Sequence, residues 1–593
     1  MIRTPLRPLA RILDARRRGE NPDAIERENI RLRHEEMRDR ARRRAEGRLL
    51  VLAGLFFVGF AVIGGQMAVL AQSDPAEPRS GAGGARILAQ RADITDRRGR
   101  VLATNFDTFS LYAQPDQMID PEGAALKLAE IFPDLDAGRL RRDFTGKRKF
   151  LWIRRTLSPE QKQAVHDIGE PGLLFGPREM RLYPNGSLAA HVLGGTRFGE
   201  EGVSAAEVVG VAGIEKTLDT RLRDPARAHE PLRLSLDLSV QAAMEEVLSG
   251  GVSIMNARGA AGIVMEAKTG EIVAIASLPD FDPNARPAPP TTGAPDDSPL
   301  FNRAVQGVYE LGSVFKTFAI AQALERGQVT PDTIVNTESP MTWGKYTIRD
   351  FHDYGRELSV EKVLVKSSNV GTARIAVEIG AERQQAFLKS LGLLDPVPFE
   401  ITEAGRSQPL LPSNWSELST MTISYGHGLA VSPLHLAAAY ATVVGGGRKV
   451  TPTLLHDPAR APGPRVVSTA TSETMRGLLR RVVTDGTASL AEVPGYAVGG
   501  KTGTADKPSP TGGYSDDKVI ATFAGMFPAD DPEYVIVVTL DEPVETSGDT
   551  PRRTAGWTAV PVAAEIIRRT APLLGLRPAI EQAGAAAIRR TSN

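Results

Sequence analysis

The sequence predicts an α+β protein that carries its folded part on one N-terminal transmembrane helix. Residues 49–71 form an uncharged apolar segment of 23 residues. Residues 260–277 are predicted as two strands joined by a polar turn, and three further strand candidates lie at residues 495–505, 518–528 and 533–543. A helix-rich stretch lies between these two groups. The pattern favours a largely antiparallel sheet with helices on both faces.

The apolar segment is long enough to cross a bilayer. At about 1.5 Å per residue, a helix of this length spans roughly 30 Å of hydrocarbon. Residues 1–48 carry 15 Arg, no Lys and 9 acidic residues, a net charge of 15 − 9 = +6. We therefore expect a cytoplasmic N-terminus and an exported remainder. The alternative is a cleaved signal peptide ending before Gln72, for which the apolar core and the region before it are both too long.

Composition excludes several classes of function. The chain has no Cys, which excludes thiol catalysis, disulfides and cysteine metal sites but leaves export possible. The formal net charge is zero, and the Arg-rich tail mixes both signs. We expect that tail to be solvated or to lie on the membrane surface, and we expect no nucleic-acid partner.

Composition shifts along the chain predict its domains. Residues 73–84 have the composition of a linker, and residues 85–228 contain no cluster of potential catalytic groups. We predict five segments: a cytoplasmic tail (1–48), a transmembrane helix (49–71), an exported interaction domain (72–228), a catalytic domain (229–575) and a C-terminal tail (576–593).

Three Ser-x-x-Lys matches occur, at Ser313/Lys316, Ser359/Lys362 and Ser515/Lys518. Ser313 begins a predicted apolar helix, in which positions i and i+3 share a face, so Lys316 could serve Ser313 as a base. Ser359 opens a helix, where serine is usually an N-cap. Ser515 lies in a predicted charged loop. The motif alone is therefore a weak signal.

The order of three motifs is a much stronger signal. Lys-Thr-Gly occurs at residues 268–270, in a predicted hairpin turn, and again at residues 501–503, between small residues. Ser-x-Asn occurs once, at residues 367–369. Ser-x-x-Lys, Ser-x-Asn and the second Lys-Thr-Gly stand in that order in one predicted domain, which is typical of penicilloyl serine transferases.

The residues of the three motifs supply what an acyl transfer needs. We assign Ser313 as the nucleophile and Lys316 as its base, which must be neutral to accept a proton. Burial and the second cation, Lys501, would both lower the pKa of Lys316. Ser367 can relay a proton to the departing amine, and Asn369 can orient Lys316 and hold a substrate amide.

The second Lys-Thr-Gly is predicted to bind and polarise the substrate. Lys501 and Thr502 can bind a substrate carboxylate, and Gly503 allows close approach to the strand. The backbone N–H groups of Ser313 and Thr504 are the expected oxyanion donors.

The sequence resembles the class B penicillin-binding proteins over most of residues 49–570. "RADITDRRGRVLATN", "RLYPNGSLAAHVLGGT" and "FNRAVQGVYELGSVFKTF" resemble motifs of that family. Leu311 stands where the elongation branch usually has proline, which favours the division-specific, FtsI-like branch. The usual "NGG" is "GGG" at residues 445–447, and the usual tyrosine pair near the end is "AGWTAVP" at residues 555–561.

The resemblance implies a membrane anchor, an elongated pedestal domain (residues 72–228) and a transpeptidase domain. It implies a septal peptidoglycan D,D-transpeptidase of the inner membrane, with its catalytic domain in the periplasm. The donor would be a stem peptide ending in D-Ala-D-Ala, β-lactams would acylate the serine, and no metal or other cofactor would be required. Implied partners are a SEDS-type glycosyltransferase and other division proteins of the membrane.

Several alternatives stay open. A β-lactamase or a D,D-carboxypeptidase would use the same acylation with water as acceptor, although neither explains an anchor and a pedestal. An idle division scaffold or a β-lactam sensor is the rival from another class. The acceptor amine could belong to meso-diaminopimelate or to lysine. His352 and His427 are interpreted as loop or core residues.

Overall fold

The computed structural model describes residues 7–20, 27, 31, 47–65, 67, 91–201, 206–509 and 512–579. The chain divides into two compact units, Met1–Arg79 and Ser80–Asn593. The first contains two described helices, α1 (Arg7–Arg17) and α2 (Gly47–Gly65). The predicted linker and most of both predicted tails lie outside the described residues.

Helix α2 corresponds to the predicted transmembrane segment. It has 19 residues with a mean hydropathy of 2.1, and its side chains are exposed. Among the described residues it is the one helix long and apolar enough to cross a membrane. Most of the predicted extension to residue 71 lies outside the described residues.

The first part of the second unit is built around an antiparallel pair of long strands. Its elements are β1 (Ile94–Thr95), β2 (Val101–Ala113), α3 (Pro121–Ile131), α4 (Ala137–Phe144), β3 (Leu151–Leu157), α5 (Pro159–His166), β4 (Leu173–Leu182), α6 (Ala190–Leu193), β5 (Gly195–Glu201), β6 (Ala206–Ala212), α7 (Gly213–Thr217), α8 (Asp219–Leu222) and β7 (Leu232–Arg233). Strand β2 pairs with β4 from Thr104↔Leu182 to Ala113↔Leu173 and with β3 on its other side. Leu111, Leu128 and Phe132 belong to a separate apolar core here.

The remainder of the unit contains the second sheet and most of the helices. Its elements are α9 (Leu238–Ile254), β8 (Gly259–Glu266), β9 (Ile272–Leu278), α10 (Lys316–Glu325), β10 (Ile334–Asn336), β11 (Met341–Trp343), β12 (Tyr346–Ile348), β13 (Glu357–Ser359), α11 (Val360–Lys366), α12 (Asn369–Ile379), α13 (Ala381–Ser390), α14 (Glu417–Ser424), α15 (Pro433–Val444), α16 (Thr469–Asp485), β14 (Gly499–Pro508), β15 (Tyr514–Phe527), β16 (Tyr534–Asp541) and α17 (Ala559–Leu573).

The second sheet confirms the predicted fold class. Its five strands are antiparallel in the order β14-β15-β16-β8-β9. Helices α9 and α17 pack together and against the sheet, and α15 and α16 also contact its strands. Every residue of β16 is buried, as expected when helices cover both faces of a strand. The α+β prediction and the three C-terminal strands are therefore confirmed.

One apolar core links the two parts of the second unit. It includes Ile94, Leu102 and Ile214 from the first part together with the strands and helices of the second sheet. The boundary at residue 228 therefore crosses a continuous core, and it stays a prediction.

Candidate active site

Ser313 lies in a tight turn that is pressed against the edge strand β14. The turn is a 3-10 helix, Gly312–Phe315, that leads into α10. Gly312 has φ +61°, and a Cβ there would lie 2.6 Å from the carbonyl oxygen of Thr504. A Cβ on Gly503 would lie 2.1 Å from the carbonyl oxygen of Leu311. Both positions therefore need glycine, and the close backbone approach predicted for Gly503 is confirmed.

Ser367 occupies a strained position between two helices. It is the C-cap of α11 with φ +63° and ψ 42°, in the left-handed region that non-glycine residues seldom adopt. The next residue, Ser368, is the N-cap of α12 and accepts a hydrogen bond from Gly371 N at 2.9 Å. This sharp change of direction brings the Ser367 hydroxyl to the two motif lysines.

The two lysines converge on Ser367. Lys316 Nζ donates to the carbonyl oxygen of Ser367 at 2.5 Å and to its Oγ at 3.0 Å. Lys501 Nζ donates to the same Oγ at 3.0 Å and to the carbonyl oxygen of Thr502 at 3.0 Å. Both lysines are fully buried, with 0% exposure. The three motifs therefore meet in space, as their order in the sequence predicts.

Burial controls the charge of both lysines. Desolvation, with repulsion from Lys501, places the pKa of Lys316 well below its usual value, although Asp350 opposes the shift. Desolvation lowers the pKa of Lys501 to about 7. Burial therefore disfavours the charged form of both lysines, and repulsion from Lys501 adds to this effect at Lys316. A neutral amine has two N–H donors, which the two bonds to Ser367 occupy, so its lone pair is left to accept a proton.

Asp350 is a site residue that belongs to none of the three sequence motifs. Its Oδ1 accepts from Asn369 N at 2.5 Å and Val370 N at 3.0 Å, and its Oδ2 accepts from Ser368 Oγ at 2.7 Å. A carboxylate at a helix N-terminus is favoured by the helix dipole, so Asp350 stabilises the start of α12. It lies 17 residues before Ser367 in the sequence, and no spacing rule connects the two.

The hydrogen-bond partner of Asn369 differs from the prediction. Its side-chain amide donates to the carbonyl oxygen of Arg349 at 2.9 Å, whereas we expected it to orient Lys316. The hydrogen bonds that orient Lys316 go to Ser367 instead. Asn369 nevertheless lines the cavity, where a substrate amide could meet it.

Residues from all three motifs line one cavity of about 380 Å³. It is lined by Ser313, Phe351, His352, Tyr354, Lys366, Ser367, Asn369, Tyr425, His427, Thr487, Thr502, Thr504, Thr554, Ala555, Gly556 and Trp557. His352 and His427 both lie in loops, as interpreted from the sequence, and both also line this cavity. No group of His, Asp or Glu able to hold a metal ion occurs in the described part of the chain.

Edge strand β14 forms one wall of the cavity. Among the described residues its one partner strand is β15, so no other described strand pairs with its second edge. Thr502 Oγ1 lies 2.7 Å from Thr487 Oγ1, and Thr504 Oγ1 accepts from Ala555 N at 3.0 Å. A Cβ on Gly312 would lie 3.1 Å from Thr504 N, which places that N–H beside the Ser313 turn.

The other Ser-x-x-Lys matches and the first Lys-Thr-Gly do not line the cavity. Ser359 is an N-cap that accepts from Lys362 N at 3.3 Å, as expected. Lys268 is exposed in the β8–β9 turn and pairs with Asp531 at 3.2 Å, also as expected. The loop prediction for Ser515 is wrong, because Ser515 lies near the start of β15, which extends further than its apolar core suggests.

Comparisons with known proteins give matches over most of the chain. Residues 260–568 match the family described as penicillin binding protein transpeptidase domain, and residues 86–226 match the penicillin-binding protein dimerisation domain. The probable peptidoglycan D,D-transpeptidase FtsI of Caulobacter vibrioides is 35% identical over 92% of each chain. Peptidoglycan D,D-transpeptidase FtsI of Escherichia coli K12 is 30% identical over 77% of this chain and 80% of its own.

A solved structure shares the fold. Penicillin binding protein 3 from Mycobacterium tuberculosis, complexed with aztreonam, superposes with a TM-score of 0.62 and 27% identity. The match covers 82% of this chain and 97% of that one.

Proposed function

The chain belongs to the division-specific class B penicillin-binding proteins, which are serine D,D-transpeptidases, and from this premise we propose how its own residues carry out septal peptidoglycan cross-linking. The observation that carries the proposal is the convergence of two fully buried lysines on Ser367 Oγ, beside the cavity that Ser313 and Ser367 line. Such a cluster supplies a base and a proton relay without metal or other cofactor.

In the first step, Ser313 Oγ attacks the penultimate D-Ala carbonyl of a stem peptide. Neutral Lys316 takes the hydroxyl proton. Ser367 passes its proton to the departing D-Ala nitrogen, because its oxygen accepts from both lysines and its own O–H stays free to donate. Lys316 then gives the proton that it took from Ser313 to the Ser367 oxygen, so Lys316 and Ser367 end the step as they began it. The C–N bond breaks, and an ester on Ser313 remains.

The wall formed by β14 binds the donor in this proposal. Lys501 and Thr502 hold the terminal carboxylate, and Gly503 lets the serine turn lie close to the strand beside the donor. The N–H groups of Ser313 and Thr504 stabilise the tetrahedral oxyanion. Asn369, whose side chain lines the cavity, holds the amide of the stem. An extended peptide can add to the unused edge of β14 through backbone hydrogen bonds.

In the second step, the side-chain amine of a neighbouring stem attacks the ester and forms the cross-link. The acceptor is meso-diaminopimelate or lysine, and the family favours the former. β-Lactams acylate the same serine and stay bound because they leave a slowly cleaved ester.

Labelling with fluorescent penicillin tests the assignment of the nucleophile. Ser313→Ala should abolish covalent labelling while the protein stays folded, since the hydroxyl contributes at most a cap, about 1 kcal/mol. The matched controls Ser359→Ala and Ser515→Ala should label like the wild type. Peptide mapping should find the label on Ser313, and labelling of the Ser313→Ala protein would move the nucleophile elsewhere.

We also propose the topology of the chain. Residues 1–48 lie in the cytoplasm, residues 49–71 cross the inner membrane once, and the pedestal (72–228), the transpeptidase domain (229–575) and the tail (576–593) lie in the periplasm. The charge step supports this orientation, with +6 before the apolar segment. A reporter active only in the cytoplasm, fused after residue 80, should be silent. A soluble product that begins near Gln72 would contradict the proposal.

The proposed partners are a SEDS-type glycosyltransferase and other division proteins, at the septum. The membrane helix and the pedestal are the surfaces we expect the glycosyltransferase to bind. The full chain should therefore co-purify with it, whereas a chain in which residues 47–65 are replaced by an unrelated transmembrane helix should bind less. Equal recovery of the two would exclude the helix as a contact.

A further inference from the structure

A histidine held by a carboxylate faces the same cavity as Ser313. His427 Nδ1 lies 3.3 Å from Glu310 Oε2, and the His427 side chain is 32% exposed and lines the cavity. Glu310 is three residues before Ser313 in the sequence and is itself mostly buried, with 14% side-chain exposure. The acylation steps described above use neither residue.

The surroundings hold both side chains in place. Glu310 Oε1 accepts from Gly428 N at 2.8 Å, and both of its carboxylate oxygens lie 3.0 Å from the hydroxyl of Tyr514. Burial works against ionisation of Glu310, but the hydrogen bonds from His427, Gly428 and Tyr514 outweigh it, so the pKa of this carboxyl lies below its usual range. The His427 ring sits edge-on to Tyr425 at 5.5 Å and to Tyr514 at 6.1 Å.

This arrangement selects one tautomer of the histidine. A carboxylate beside Nδ1 keeps the proton on that nitrogen, which leaves Nε2 as the acceptor. The other titratable side chains that line the cavity do not share this feature in the described residues: His352 contacts the rings of Phe351 and Tyr354, and Lys366 is exposed. An imidazole of fixed orientation at a substrate cavity, with one ring nitrogen free, is suited to accept a proton.

We propose that His427 is the base that takes a proton from the acceptor amine in the second step, with Glu310 as its positioning residue. The proposal rests on the proposed transpeptidase function. An alkyl amine arrives as the ammonium ion, which has no lone pair with which to attack. The nitrogen must lose two protons before it becomes an amide.

The two protons take different routes. One passes to His427 Nε2 and then to water, since the side chain is partly exposed. The nitrogen then attacks the ester carbonyl, a C–N bond forms, and the bond to Ser313 Oγ breaks. The second proton returns through Lys316 to Ser313 Oγ, which restores the hydroxyl. No oxidant, reductant or further reactant is involved. Water, the competing nucleophile, is a neutral molecule, unlike the ammonium ion.

The test is the partition of the acyl-enzyme between amine and water. The full chain in detergent is given a thioester analogue of the acyl-D-Ala donor, with Nα-acetyl-D-lysine amide as acceptor. The ratio of amide to hydrolysed product does not depend on how fast the acyl-enzyme forms. Thiol release reports the acyl-enzyme itself, so a wild-type protein that releases no thiol would contradict the proposed function rather than the role of His427.

His427→Ala and His427→Phe should both lower this ratio about 10²–10⁴-fold, the usual contribution of a general base. Added imidazole should restore amide formation by His427→Ala, which leaves space for it, and not by His427→Phe, which fills that space. A ratio near wild type in His427→Phe would assign His427 a packing role and overturn the proposal. Failure of imidazole to restore His427→Ala would overturn it as well.

Three further variants complete the experiment. Glu310→Gln should lower the ratio, and Glu310→Asp, which keeps the charge, should recover most of it, whereas equal losses would remove Glu310 from the proposal. His456→Ala is the matched control, because His456 Nδ1 also lies beside a carboxylate, at 2.9 Å from Glu271 Oε2, and does not line the cavity. Its partition ratio should equal that of the wild type, and a loss as large as that of His427→Ala would overturn the proposal.

Discussion

Replacing Lys501 by methionine should stabilise the protein at neutral pH while removing penicillin acylation. Burial lowers the pKa of Lys501 from 10.5 to about 7. Since one pKa unit corresponds to about 1.4 kcal/mol, holding this lysine costs the folded state about 5 kcal/mol at pH 7. Methionine removes that cost but leaves the oxygens of Ser367 and Thr502 without their donor, which costs about 1–3 kcal/mol. The expected net gain is about 2–4 kcal/mol on these terms.

The stability gained by Lys501→Met should decrease as the pH rises. Above pH 10.5 the lysine is neutral in both the folded and the unfolded chain, so its burial cost vanishes. As the pH falls, the unfolded chain takes up the proton first, and the cost grows until the folded lysine is also protonated near pH 7. The advantage of Lys501→Met should therefore be largest at and below neutral pH. It should shrink by about 1.4 kcal/mol for each pH unit above that.

Scanning calorimetry at pH 7 and pH 9 measures the effect. For the unit Ser80–Asn593, an unfolding entropy of about 2 cal/mol/K per residue converts 1 kcal/mol into roughly 1 °C. We expect Tm to rise by about 2–4 °C at pH 7 and by much less at pH 9. Lys268→Met, at an exposed turn, is the control and should leave Tm unchanged at both values. A Tm that does not rise at pH 7, or an advantage that grows with pH, would refute the reasoning.

Two other changes test residues that hold the site in place, and a third is a control outside the site. Gly503→Ala should reduce the rate of penicillin acylation at least tenfold, because its Cβ would lie 2.1 Å from the Leu311 carbonyl oxygen and would push the serine turn off the strand; stopped-flow labelling measures this. Asp350→Asn should lower stability by about 1–2 kcal/mol, a helix cap's worth, and slow acylation, because the Ser368 turn loses its charged acceptor; an unchanged rate would separate the cap from the catalytic geometry. Lys268→Ala should label with penicillin like the wild type, since its ion pair is exposed.

The sequence predicts which motif residues form the site better than it predicts the residues that hold them in place. The three motifs are short and ordered, so the amino-acid sequence alone is enough to choose Ser313, Lys316, Ser367 and Lys501, and the fold brings these four residues together. Asp350 cannot be found in this way, because a carboxylate that caps α12 is recognised only when the chain brings residue 350 beside that helix end.

His427 shows a different limit of what the sequence can predict. His427 belongs to none of the recognised sequence motifs, and its carboxylate partner Glu310 lies 117 residues earlier. Only tertiary packing reveals that they meet at 3.3 Å beside the cavity.

The motif that predicts the position of Ser367 also predicts that of Asn369. The hydrogen-bond partner of the Asn369 amide, however, lies in a loop, residues 349–355, and no periodicity in the sequence predicts the path of that loop.

The pair of buried lysines links donor binding to the charge of the base in the proposed mechanism. Two cations this close and this deeply buried cannot both keep their charge, since each disfavours protonation of the other. A donor carboxylate placed on Lys501 would raise the pKa of that lysine and hold the shared proton there. Lys316 would then stay neutral when Ser313 needs a base. A donor without the carboxylate leaves the proton free to move between the lysines, so the group that identifies the substrate also prepares the catalyst.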